Sequence, residues 1–207
     1  IRDSTRTIPV GGRFNTRQKE IYRIVMDSQE AAIQAIRPGI AFRDIHTLAC
    51  RMLTEGLQQI GLMTGDVEAS VAAGAHALFM PAGRGHMMGW DVHALEDLGE
   101  DYVGYTDTIY RSTQFGRHKL RLARKLEPGF VLTVEPGFYF ISQLMEQWKV
   151  SGKFDAFIDF KKVEAYMGFG GVRIEDDVLV TESGCRVLGK PIPKSIEDVE
   201  AFSSLSR

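Results

Sequence analysis

The chain has 207 residues, enough for one domain with a substantial core and short for two comfortable ones. A net charge of −2, with 44% hydrophobic and 25% charged residues, describes a globular protein and gives no basic field for nucleic acid or an anionic membrane. No apolar run approaches the roughly 18 residues of a membrane span, and the opening residues read as neither signal peptide nor targeting helix. Two cysteines, Cys50 and Cys185, make no disulfide framework, so a reducing, cytoplasmic setting is the expectation.

Residues 1–10 favour a strand through Thr5, Thr7 and Val10, and Gly11-Gly12 breaks it. Thr16 is expected to cap a helix running to about Ile36, with Ile21, Ile24, Val25, Ala32 and Ile36 at helical spacing and Pro38-Gly39 as its stop. A second amphipathic helix places Ile45, Leu48, Ala49, Met52, Leu53, Leu57 and Ile60 on one face and ends at Gly61. After a short segment over 66–73, the Gly-, Met- and His-rich stretch 76–89 reads as loop and strand, and the acidic stretch 95–107 as exposed. Residues 130–135 predict a strand that Pro136-Gly137 interrupts. Residues 142–167 look like a partly helical surface excursion. A second strong strand covers 171–181, and Ser195 caps a last short helix. Helices grouped ahead of strands predict an α+β domain rather than alternating βαβ units.

Four acidic or imidazole side chains stand out. His86 lies among glycines, which let the backbone approach a ligand closely. Glu135 ends an apolar strand, where burial of its carboxylate requires a cation or hydrogen bonds. Strand alternation puts Arg173, Glu175 and Asp177 on one face, opposite Val172 and Ile174. That pattern suits either a solvated edge or a site where Glu175 binds metal and Arg173 orients it. Asp3 sits in the opening strand. As a set, Asp, His, Glu and Glu favour Mn²⁺, Co²⁺, Zn²⁺ or Fe²⁺ over a thiolate-bound metal.

In this order, the segments 3–10, Gly85-His86, Asp91–His93, Leu132–Gly137 and Gly171–Asp176 resemble the prolidase and Xaa-Pro aminopeptidase group of pita-bread metallopeptidases, along nearly the whole chain. The resemblance implies a pita-bread fold with a curved, mainly antiparallel sheet and flanking helices. It implies two divalent metal ions, Mn²⁺ foremost, and hydrolysis of the Xaa-Pro bond in dipeptides or short peptides by a hydroxide bridging the metals. Asp3 and Glu175 match bridging ligands. His86 and Glu135 match terminal ligands, and Glu135 also matches the general base. His93 matches a histidine that contacts substrate, and Arg173 an arginine behind the ligands. Arg121 matches the prolidase arginine that pairs with a dipeptide's free carboxylate, a task suited to a guanidinium fork. A homodimer is implied as well.

The sequence departs from the family pattern in three places. A further metal-ligating aspartate belongs upstream of Asp3, so residues 1–207 are expected to be the C-terminal catalytic part of a longer product with an N-terminal domain. Ala82 stands where a histidine is usual, and Ala94 where an aspartate is usual. These two changes leave open a catalytically impaired binding module of the same fold, and a metal-free hydrolase similar to creatinase is a third reading.

Overall fold

The structure, a computed structural model, describes residues 3–205; the first two residues of the expected opening strand lie outside them. Among these described residues five strands and seven α-helices follow one another: β1 (Thr5–Arg6), α1 (Thr16–Ala35), α2 (Phe42–Gln59), α3 (Val67–Ala73), α4 (Glu100–Gly104), β2 (Val131–Val134), β3 (Gly137–Tyr139), α5 (Ser142–Val150), α6 (Phe160–Val163), β4 (Gly171–Val180), β5 (Cys185–Val187) and α7 (Ile196–Leu205). This is the α+β class expected.

The long strand β4 organises the sheet. On one edge it pairs antiparallel with β1 (Thr5 opposite Glu175) and with β5 (Leu179 opposite Arg186). On the other edge it pairs with β2 (Val134 opposite Asp176) and β3 (Gly137 opposite Arg173). The β2 and β3 pairings share one register, so Pro136 removes a ladder donor without slipping the alignment. Beyond β2, residues 84–88 run antiparallel to it. Glu135 N–H donates to Arg84 O (2.9 Å), Thr133 N–H to His86 O (3.0 Å) and Met88 N–H to Val131 O (2.8 Å). The glycine-rich loop is thereby stitched to the sheet.

Helix α1 lies against one face of the sheet. Val172 and Ile174 point into it, and Gln29 of α1 reaches across to Asp176 (3.0 Å). The helix is capped by Asn15 rather than Thr16: the Asn15 side chain accepts from Gln18 N–H and the Gln18 side chain returns to Asn15 N–H. One core joins α1, α2 and α3 to β3, α5 and α7. A second lies between the facing ends of α1 and α2, the 105–126 segment, β2 and β4. The 142–167 excursion is more than surface, since Met145, Trp148, Ile158, Phe160, Val163 and Tyr166 are buried in the first core. Ser195 caps α7 by accepting from Asp198 N–H, as expected. Both cysteines are free. No helix among the described residues is long and apolar enough to cross a membrane.

Candidate metal centre

The face of the sheet opposite α1 gathers the acidic residues. Glu175 and Asp177 project from β4, Glu135 leaves the end of β2, and Asp3 precedes β1, where its N–H donates to an Asp177 carboxylate oxygen (3.1 Å). His86 arrives from the stitched 84–88 segment. Of the two readings open for the β4 charges, a solvated edge is excluded for Glu175, which is 2% exposed; Arg173 alone remains exposed.

His86 shows how the backbone prepares this cluster. Its N–H donates to Thr133 Oγ1 (3.1 Å), and its Nδ1 lies 3.0 Å from Met87 O. An N–H at Nδ1 serving that carbonyl leaves the lone pair on Nε2. Nε2 faces Asp3 Oδ2 at 3.3 Å and Glu135 Oε1 at 3.6 Å. Burial holds the imidazole neutral, with its pKa pushed down to about 4. Among the described residues two ligand-capable groups result, Asp3–His86–His93 and His86–Glu135–Glu175, each with donor atoms within 4.8 Å of one another. The four residues expected to hold metal therefore converge, and His93 joins them with its ring 4.5 Å from that of His86.

The carboxylates repel one another. Burial raises the Glu135 pKa to about 7, reinforced by Glu175. Burial, with Asp3 and Asp177 nearby, raises that of Glu175, while a hydrogen bond from Thr5 Oγ1 (2.5 Å) opposes the rise. Carboxylates pressed together in a buried site fit a cation of multiple charge. A neutral Nε2 acceptor and several carboxylate oxygens form a donor set suited to borderline and hard divalent ions.

Around this set stand three polar supports. Arg173 Nε donates to Thr5 Oγ1 (3.2 Å) and lies 3.9 Å from Glu175. Arg121 bridges Glu135 Oε1 (3.3 Å) and Glu96 Oε2 (3.4 Å). Glu96 also lies 3.8 Å from His93 Nδ1. Sequence reasoning did not single out Glu96. It sits in the acidic 95–107 stretch read as exposed, yet its side chain is largely buried, and it gives His93 a carboxylate neighbour despite Ala94. Thr5 and Thr133, whose hydroxyls donate to the site carboxylates, were likewise passed over as strand formers.

The arrangement defines a class: an antiparallel pita-bread sheet presenting His and carboxylates for divalent metal. Sequence comparison agrees. The model of metallopeptidase family M24 matches residues 1–182, and the chain belongs to that family. Xaa-Pro dipeptidase of Homo sapiens is 41% identical over 199 residues, 96% of this chain and 39% of the human protein, and the Rattus norvegicus Xaa-Pro dipeptidase matches equally. Zinc-substituted aminopeptidase P of E. coli, solved in complex with product, superposes with a TM-score of 0.74 at 34% identity. That match covers 99% of this chain and 38% of the E. coli chain. The chain thus spans about two fifths of the length of these relatives.

Proposed function

We propose that residues 1–207 form a catalytic metallopeptidase domain that hydrolyses the Xaa-Pro bond of dipeptides or short peptides. The observation that carries this reading is His86, fixed through Met87 O so that Nε2 is free toward Asp3 and Glu135, with Glu175 beside them. Asp3, His86, Glu135 and Glu175 would hold divalent metal, Mn²⁺ foremost and Co²⁺, Zn²⁺ or Fe²⁺ as alternatives. When bound, the metal supplies Lewis-acid polarisation of a carbonyl and a lowered water pKa.

The protein's own groups do the rest. Glu135 accepts the proton of the attacking water and returns it to the leaving proline nitrogen. His93, more exposed than His86 and edge-on to it, donates toward the developing oxyanion. Arg121 offers its fork to the free carboxylate of a C-terminal proline, which selects dipeptides. Arg173 holds Thr5 and the Glu175 carboxylate in place. The scissile bond is a tertiary amide without N–H, so the site needs no acceptor for one. The names of the relatives, Xaa-Pro dipeptidase and aminopeptidase P, support this substrate class. A homodimer in a reducing cytoplasm completes the proposal.

The test is release of proline from Gly-Pro and Ala-Pro by the purified protein with added Mn²⁺, beside a chelated sample. Metal-dependent release supports the reading. Metal binding without release, by a protein that carries the upstream aspartate, overturns the peptidase assignment in favour of a binding module, and release that a chelator does not affect overturns the metal assignment.

A further inference from the structure

Away from the carboxylates, the molecule holds a second cluster of opposite sign. Arg84 is 2% exposed, and its Nε and Nη2 have no hydrogen-bond partner among the described residues; Nη1 reaches only Ser28 Oγ, at 3.4 Å. Arg117 makes no ion pair among the described residues, and its buried Nε is unpartnered. His46 and His76 are buried beside them, each with an unpartnered Nδ1. The charges of Arg84 and Arg117 act on both imidazoles, which burial and these charges hold neutral. The Cys50 thiol, 3.6 Å from His46 Nε2, is held protonated by burial. Among the described residues, nothing in the cluster supplies a negative charge. Guanidinium does not shed its proton, and an uncompensated buried charge is strongly destabilising.

A cavity of about 390 Å³ opens onto this cluster between the first turns of α2 and the 105–123 segment. Arg43, His46, Tyr105, Ser112 and Arg117 line it. Asp44, its one acidic residue, is already beside Arg43 at 3.6 Å. Tyr105 donates to Leu120 O, whereas among the described residues Ser112 Oγ only accepts, from Gln114 N–H, and keeps its own proton to donate. Unpaired guanidinium, a free hydroxyl donor and a surplus of positive charge are what an oxyanion requires.

We propose that this cavity is a binding site for a small oxyanion, the phosphate or carboxylate group of a metabolite, held by Arg117 with Arg84 as buried counter-charge, and separate from the metal centre. The proposal does not depend on the peptidase reading.

The test is thermal unfolding of the protein in a chelator, which keeps metal from capturing the anion. Sodium phosphate and sodium acetate are titrated separately against sodium chloride at matched ionic strength. A saturable rise in midpoint with one oxyanion and none with chloride is expected, and the oxyanion with the lower half-saturation identifies the group. Arg117→Met, at the cavity wall, should weaken half-saturation at least tenfold. Arg84→Met should raise the midpoint in buffer without oxyanion and flatten the titration. An equal response in wild type and Arg117→Met, or the same shift with chloride, overturns the site. Should Arg84→Met not fold, the Arg117→Met comparison decides alone.

Discussion

The glycine before His86 offers the sharpest test of how backbone geometry builds the proposed metal centre. A Cβ placed on Gly85 would lie 2.2 Å from Thr133 O and 2.7 Å from Phe42 Cζ. The first neighbour is a backbone carbonyl within β2, paired with β4, so it cannot turn aside as a side chain could. Ordinary contact begins at 3.4 Å, which makes the required displacement about 1 Å. Overpacking of this kind typically costs about 1–3 kcal/mol. The same displacement strains the hydrogen bonds of His86 to Thr133 and shifts Nε2 relative to Asp3 and Glu135, now 3.3 and 3.6 Å away. Metal ligands tolerate distance errors of roughly 0.2 Å, so affinity falls more steeply than stability. Gly85→Ala is therefore expected to lower the urea midpoint and to weaken Mn²⁺ binding by calorimetry at least tenfold. Gly11→Ala, where an added Cβ meets nothing within 4 Å, serves as control and should stay within about 0.5 kcal/mol of wild type. A Gly85→Ala protein with unaltered midpoint and metal affinity would refute the close approach as the device that positions His86.

Three other predictions concern charge. Glu175→Gln keeps an acceptor for Thr5 but removes one of the carboxylates that raise one another's pKa. In a chelator the variant should unfold at or above the wild-type midpoint, and with Mn²⁺ it should lose the metal-induced rise of wild type. A metal-induced rise as large as that of wild type would remove Glu175 from the ligand set. Glu96→Ala leaves Arg121 held by Glu135 alone, so KM for a Xaa-Pro dipeptide should rise about tenfold while KM for the corresponding amide, lacking a free carboxylate, changes little; equal rises in KM on both substrates would mark Glu96 as merely structural. His76, whose pKa falls from 6.5 to about 3 in the fold, stays neutral while the unfolded chain takes up a proton. Its contribution is full above about pH 6.5 and is lost as pH drops toward 3, at about 1.4 kcal/mol per pH unit. His76→Gln should make the acid limb of a stability–pH curve shallower, measured in buffer free of phosphate and acetate, and an unchanged limb would refute its burial as the neutral form.

What could be read from residues alone divides along a physical line. Periodicity reports which face of an element is apolar, so α1, α2, β2 and β4 were legible, as were the chemical types that β4 presents on each face. Periodicity does not report depth. Arg173 and Glu175 alternate correctly onto one face, but alternation does not report that the first is exposed while the second, paired with Thr5 of β1, is buried. The same limit explains residues 142–167: their apolar side chains are sparse along the chain and converge only when α5, α6 and the turn to Tyr166 fold back onto Phe138 and Phe140. Capping was misplaced by one residue because Asn15 and Thr16 both suit the role, and only the reciprocal bond from Gln18 selects Asn15. Pairwise compensation across long sequence separations was the least legible. Ala94 beside His93 reads as a lost carboxylate, yet the left-handed turn at Leu95 brings Glu96 within 3.8 Å of His93 Nδ1. A site assembled from loops can keep its charge balance while the residue that supplies it moves along the chain. A missing motif residue is therefore weak grounds for inferring lost function until the neighbouring loop has been placed.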